Sequence, residues 1–455
     1  MISRRSWQVE LEKRLCELPL PDLQHSSQSD LDRVAPKGKI TTFAFHIHGW
    51  KQAIFQRYFP ERAFTFVPMY ARDNEFKEEW AGRILKVENP QIFVWSLRAP
   101  RGLRDFASKH NIAVFFIEDG FIRSVEANAS RTPPLSLALD EGTAYFDCRT
   151  PSDLERLLAT YDFDSEPELL TRAAAGIRFL LETGVSKYNS DAKIDIDSLY
   201  GPKSGKRVLV IGQVEDDASI QFGCLPAITN NDLVRLAAEE NPGAQIIYKP
   251  HPDILSRVRL AQSDPDDVRH LCQILTQPLP MAQAFETVDH VYTITSLAGF
   301  EALLRGIKVT AYGCPFYAGW GLTDDRQPNP RRGRVLTIEA LFAGAYLLYP
   351  LYFDPQTGRR MSFEETVDSI SRYFATMKVL DEPRGTKTGP RWQAWGLYGI
   401  LGWRHLLTPI VSSIIARIGN QHDVENYQAD PIQFFRELSN PKFRLIGRIL
   451  YPFDR

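Results

Sequence analysis

Cysteine is scarce: five residues in 455, at positions 16, 148, 224, 272 and 314. There is no CxxC pair and no Cys/His spacing that suits a metal. An odd, dispersed set argues against a disulfide framework and fits thiols kept reduced. Long hydrophobic runs are missing too. None reaches the roughly 18 apolar residues that a membrane-crossing helix needs, and the nearest, Trp395–Ile418, is broken by Arg404, His405 and Pro409. The opening MISRRSWQVELEKRL has three arginines but no apolar segment of a signal peptide. These absences lead us to expect a cytoplasmic protein. No charge of one sign dominates: 54 Lys+Arg against 56 Asp+Glu leave a net charge of −2, so no global attraction to nucleic acid follows. The absence of GxxxxGK[ST], of a GxGxxG after the first strand and of HExxH argues against a P-loop NTPase, a dinucleotide-dependent dehydrogenase and a zinc protease. No low-complexity tract or short-period repeat is present.

What remains is an ordinary globular composition, 44% apolar and 24% charged, with a length that predicts two or three domains. Short buried-strand runs, TTFAFHIHGW, FTFVP, QIFVWS and IAVFFIEDG, alternate with amphipathic stretches. That alternation predicts a parallel sheet covered on both faces. Helical patterns follow, and YGPKSGK (Tyr200–Lys206) reads as a linker. Strands then resume as RVLVIG, AQIIYKP, HVYTIT and KVTAYG. The expected class is α/β, with two Rossmann-like domains facing across a cleft. We place them at residues 1–200 and 201–384, followed by a helical Trp/Arg-rich tail over 385–455.

Ligands of open parallel sheets bind outside the carboxyl ends of the strands, and four polar clusters fall there. FFIEDG ends a strand at Glu118 and Asp119. The stretch from Gln213 to Ser219 carries Glu215, Asp216 and Asp217 in a row. IIYKPHPD sets Lys249 and His251 around a proline, a pair able to donate to phosphate. YTITSLAGFEALLRG brings Thr295 and Ser296 to a helix start, with Glu301 one to two turns along. Each also reads as an ordinary acidic turn, polar turn or helix cap. The acidic triplet lacks the neighbouring histidine or carboxylate that a metal site would favour. His46 and His48 have no third ligand near in sequence, so acceptor-binding or structural roles fit them better than a metal.

These motifs, and above all YGCPFYAGWGLTDD (Tyr312–Asp325), resemble the KpsC/LipB-type capsule polysaccharide β-Kdo transferases over roughly Gly49–Tyr373. FIEDGFIRS, PPLSLALDEGTAYFD, SDLERLL and SKYN support the match. The resemblance implies a GT-B-like fold and a retaining enzyme that moves Kdo from CMP-Kdo to a lipid-linked oligosaccharide linker. It implies an acceptor role for the N-terminal domain and CMP-sugar binding for the second. Asp217 matches the aspartate of Q-V-x-x-D-x-S and becomes the nucleophile, because retention needs two displacements. Glu118 matches the acid of EDG, with Asp119 in reserve. Lys249 and His251 would hold the CMP phosphate, assisted by Ser296 and without a metal. Gln213, Ser219, Thr295 and Glu301 would line the donor site. In the GWGLT loop, Tyr317 and Trp320 would frame sugar or nucleotide, with Gly319 and Gly321 allowing close backbone approach; plain aromatic packing is the competing reading. Implied partners are the lipid-linked glycan, an anionic membrane surface at the inner face and capsule assembly proteins. This chain has room for one module, whereas the best-known members carry two in tandem, and its tail matches nothing in them. Two rival functions are an inverting CMP-sialic-acid-type transferase and a non-enzymatic capsule assembly or export scaffold.

Overall fold

The computed structural model describes residues 38–69, 71, 73–123, 132–186, 195–251, 254, 263–277 and 279–380, and in the tail 408–418, 423–424, 427–428, 431–438 and 441–451. They fall in two compact units, one from Phe115–Arg372 and one from the described parts of Leu18–Val114 and Tyr373–Arg455.

In the second of these, β1 (Ile40–Phe45) lies between β2 (Arg62–Phe66) and β3 (Gln91–Trp95) and is parallel to both. Helix α1 (Gly49–Tyr58) connects β1 to β2. Aromatic edges fill the space beneath: Phe59 meets Phe93 at 5.6 Å and Phe64 at 6.4 Å.

The Phe115–Arg372 unit opens with β4 (Ala113–Asp119), paired antiparallel to β5 (Ser136–Asp140). Helices α2 (Asp153–Thr160) and α3 (Pro167–Thr183) follow. The chain then builds a second sheet from β6 (Arg207–Ile211), β7 (Gln245–Lys249), β8 (Gln273–Ile274), β9 (His290–Thr293), β10 (Lys308–Ala311) and β11 (Asp324–Asp325). All its pairings are parallel, in the order β11-β10-β9-β6-β7-β8. Central β6 is buried at every residue, as an unbroken apolar run demands when both faces are covered. On one face, Val208, Val210, Ile246, Tyr248, Tyr292 and Ile294 pack with Leu233, Val234 and Ala237 of α5 (Asn230–Glu240). A capping box between Thr229 and Asp232 starts that helix. Two shorter helices, α4 (Ala218–Gly223) and α6 (Leu297–Leu303), begin just after β6 and β9.

The α/β class with two separate sheets agrees with the expectation. The all-parallel expectation for the first sheet is corrected, because β5 runs antiparallel to β4. The chain also returns after the second sheet: β12 (Leu351–Phe353) pairs antiparallel with β5, and β13 (Arg360–Met361) pairs antiparallel with β12. Antiparallel neighbours need no helical crossover, so the β-α alternation that flags parallel strands has no counterpart here.

In the tail, α7 (Thr408–Ile418), α8 (Pro431–Glu437) and α9 (Pro441–Leu450) surround a small core of Ile415, Val424, Tyr427, Phe434, Phe435 and Tyr451. The Trp/Arg stretch from Arg391 to Arg404 lies outside the described residues.

One buried carboxylate ties distant parts of the large unit together. Glu155 on α2 accepts Arg331 Nε at 2.5 Å and Arg332 Nε at 2.9 Å. Arg332 also donates to the carbonyls of Pro315 and Ala318, at the head of the GWGLT loop. Replacing Glu155 by alanine strands at least one buried guanidinium. We expect a loss of about 3–5 kcal/mol in urea unfolding, with no comparable loss for alanine at exposed Glu239.

Candidate functional site

The strand order of the second sheet reverses beside β6. From β6 the chain moves outward to β7 and β8, then crosses to β9, β10 and β11 on the other side. The crevice beyond the carboxyl ends at such a switch is where open α/β sheets bind ligands. Gln213 follows β6, Lys249 ends β7, and Thr295 and Ser296 follow β9, so sequence-distant candidates converge on one edge.

A directed row of hydrogen bonds joins them. Gln213 Nε2 donates to Thr295 Oγ1 at 3.0 Å, Thr295 Oγ1 to Ser219 Oγ at 3.3 Å, and Ser219 Oγ to Asp217 Oδ1 at 2.7 Å. Gln213 Oε1 in turn accepts the Thr295 N–H at 2.8 Å, and the Gln213 backbone exchanges two bonds with the Asn230 amide. Gln213 thereby joins β6 to β9, and it acts on any ligand by fixing that junction. Asp217 is the N-cap of α4 and also takes the Ser219 N–H on Oδ1 at 2.9 Å. Among the described residues its other oxygen, Oδ2, has no hydrogen-bond partner.

The three consecutive acids thus have separate jobs. Glu215 is buried and accepts from the Asn230 N–H at 2.7 Å and from both the N–H and Oγ of Ser263, which anchors the loop. The Asp216 carbonyl takes Gln221 Nε2 at 2.8 Å. Asp217 combines an oxygen held by Ser219 with one that has no hydrogen-bond partner among the described residues.

Lys249 is in register with Ile211 and Thr293 across β7, β6 and β9. Its neighbour Tyr248 faces the α5 core, so Lys249 points to the opposite face. It is 8% exposed, and among the described residues its ammonium has no hydrogen-bond or ion-pair partner. Burial alone lowers its pKa from the usual lysine value. His251 lies two residues on, partly exposed, its carbonyl accepting the Ile254 N–H. Ser296 caps α6 through Ala298 N–H at 3.2 Å.

In EDG, Glu118 and Asp119 sit at successive strand positions and so face opposite ways. Asp119 is buried in an ion pair with wholly buried Arg123, Oδ2 to Nε 2.7 Å. Glu118 is partly exposed. The glycine that follows is dictated by packing: a Cβ at Gly120 would sit 2.8 Å from Ser136 Cβ. Beyond β5, Cys148 N–H donates to the Phe222 carbonyl at 3.0 Å, which sets this part of the chain against α4 and Asp217.

The GWGLT expectation needs correction. Tyr317 and Trp320 are wholly buried; Tyr317 donates to the Ser296 carbonyl at 2.5 Å and Trp320 Nε1 to the Phe316 carbonyl at 2.8 Å. Rings enclosed on all sides have no face for a sugar, so their part is to shape the loop. Gly319 and Gly321 supply left-handed turns, at φ 84° and 79°, packed on Arg332 and Val335. Glu301 is buried on α6, near enough to Tyr346 that its charge, after burial, raises that hydroxyl's pKa. His46 follows β1 with a left-handed φ of 58°, and His48 is the N-cap of α1 without a side-chain capping bond.

Four residues escaped the sequence: Arg123, Arg332 and a pair of buried thiols. Cys148 and Cys314 are both buried, although 166 positions separate them in the chain; Gln327 Nε2 donates to Cys148 Sγ at 3.2 Å and Asn329 Nδ2 to Cys314 Sγ at 3.6 Å. Interaction with the Cys148 thiol outweighs burial and brings the Cys314 thiol down to about 7. Only the folded loop joins these residues, and no local spacing announces them.

Residues 91–180 and 176–353 match the family described as Capsule polysaccharide biosynthesis protein. The lipopolysaccharide-processing protein LpsZ of Rhizobium meliloti is 42% identical over 346 residues, covering 74% of this chain and 76% of LpsZ. The capsule polysaccharide modification protein LipA of Neisseria meningitidis is 37% identical over 71% of this chain, which spans only 44% of LipA. Two solved Thermosulfurimonas dismutans KpsC structures have the same fold. The beta Kdo 2,7 transferase is 31% identical (TM-score 0.57), covering 73% of this chain and 99% of that one. The beta Kdo 2,4 transferase is 28% identical (TM-score 0.59), covering 73% and 98%.

With no counter-ion among the described residues, the Lys249 ammonium is expected to receive an anion, and its titration gives a test. With its folded pKa below the unfolded one, Lys249 contributes stability that is present above the unfolded pKa and is lost as pH falls through the folded pKa. A bound phosphate reverses that loss by stabilising the charged form. CMP should therefore raise the thermal midpoint at neutral pH and do so less as pH rises and Lys249 deprotonates. Lys249→Met should bind CMP about ten- to a hundredfold more weakly by calorimetry and lose this pH slope.

Proposed function

Because the chain belongs to the capsule polysaccharide biosynthesis protein family, we propose that it is a retaining β-Kdo transferase. It moves Kdo from CMP-Kdo to a lipid-linked Kdo oligosaccharide linker. The observation that carries this reading is the asymmetry of the Asp217 carboxylate, one oxygen fixed by Ser219 and the other open. A nucleophile needs that arrangement: a lone pair free to attack and a carboxylate that does not rotate away. The solved relatives named as Kdo transferases support the substrate class.

In the first displacement, Asp217 Oδ2 bonds to the anomeric carbon as the bond to the CMP phosphate oxygen breaks. Lys249, with His251, receives the charge that develops on that phosphate, the stabilisation a metal provides in other transferases. No metal is required on this reading. Ser296 and Thr295 complete the phosphate side, and Glu301 is assigned to a ribose hydroxyl. In the second displacement an acceptor hydroxyl loses its proton to Glu118 and attacks the same carbon from the other face, releasing Asp217. Two inversions give net retention. Glu118 suits the acid/base role better than Asp119, whose carboxylate is held by Arg123. A lipid-linked acceptor would bring the reaction to the inner face of a membrane, beside the proteins that assemble capsule.

Asp217→Asn should reduce transfer by roughly 10³-fold or more while leaving CMP affinity unchanged. Incubation with CMP-Kdo and a Kdo-terminated acceptor, followed by NMR of the new anomeric centre, reads out both activity and configuration. An inverted product, or normal turnover by the variant, overturns the double displacement. Glu118→Gln should slow the second step, so that a Kdo adduct on Asp217 accumulates and is visible by mass spectrometry.

A further inference from the structure

Two tail helices turn their apolar side outward. In α9, Gly447 is buried against Phe435, while Leu445, Ile446 and Ile449 lie on the other side with Lys442. In α7, Ile415 enters the small core and Ile410, Ile414 and Ile418 form an i, i+4, i+8 stripe on the surface. These six side chains are 45–68% exposed, and they are the majority of the ten large hydrophobics exposed among the described residues. Isolated surface leucines need no explanation, but two ordered stripes in one small subdomain do.

The charges around the stripes indicate what covers them. Helix α9 carries Lys442, Arg444 and Arg448 and no carboxylate, and α7 carries Arg417 and no carboxylate. Aliphatic side chains interleaved only with cations match the headgroup boundary of an anionic bilayer, where the apolar face enters the acyl region and cations meet phosphate. A protein partner of ordinary composition would not select against every acid on both helices. Among the described residues no helix is long and apolar enough to span a membrane, so the geometry is one of lying on the surface.

We propose that the subdomain of residues 408–451 docks the protein on anionic lipid through the exposed faces of α7 and α9. The docking gives the proposed transferase a location, and it stands or fails separately from the donor chemistry.

Flotation of the full chain with vesicles tests this without catalysis. The protein should float with phosphatidylethanolamine vesicles containing phosphatidylglycerol, much less with phosphatidylcholine alone, and less as salt rises. The doubles Leu445→Glu/Ile449→Glu and Ile414→Glu/Ile418→Glu should abolish most of the binding. Arg444→Gln and Arg448→Gln should each weaken it about fivefold. All these side chains are outside the subdomain core, and circular dichroism with thermal unfolding verifies the fold of each variant. Failure of the unmodified chain to float overturns the proposal, as does full binding by both doubles. Vesicle-independent dimers that dissociate in the same doubles would overturn it in favour of an interface between two copies.

Discussion

The large unit depends on the placement of one carboxylate. Glu155 sits in the first turn of α2, capped by Ser152, and it pairs with two arginines from a segment 176 residues away. Arg332 is almost wholly enclosed, and a guanidinium in that position is tolerable only with its charge matched and its N–H groups bonded. It is matched by Glu155 and bonded by Pro315 and Ala318, so the same group that needs Glu155 also shapes the GWGLT turn. Tyr317 then bonds the Ser296 carbonyl at the start of α6. Charge compensation between distant segments is thereby converted into the position of a strand end.

That position matters because the site is made of short-range bonds with little slack. Gln213 locks the ends of β6 and β9, and the hydroxyls of Thr295 and Ser219 carry that rigidity to Asp217. Lys249 is the counterpart, a cation held by the strand and, among the described residues, without a partner. Among the described residues, one Asp217 oxygen and the Lys249 ammonium are left for something outside the chain. This is the pre-organised, incomplete electrostatics that an enzyme can complete with its substrate.

The sequence made the second sheet legible because a parallel sheet buried on both faces needs unbroken apolar runs, and RVLVI and QIIYK are such runs. It also delivered the strand-end residues, since strand ends with Gly, Pro and polar clusters are local features. It did not reveal β12 and β13, which are three and two residues long and have meaning only beside β5. The two readings of the GWGLT aromatic pair are not separable locally for a related reason. Tyr317 and Trp320 look equally fit for a sugar or a core, and only long-range packing decides. Of the three adjacent acids, composition marked the group, while the donors from Asn230, Ser263 and Ser219 distinguish its members.

The return of the chain to β5 also bears on how the protein is made. A ribosome releases the chain N-terminal end first, and β5 emerges more than two hundred residues before its partner β12. During that interval β5 has one paired side and one bare edge, the kind of surface that recruits other strands. The large unit therefore cannot close its first sheet cotranslationally in the order of its sequence. A nascent chain halted between the two sheets carries an unfinished edge, and chaperone protection would matter most in that window.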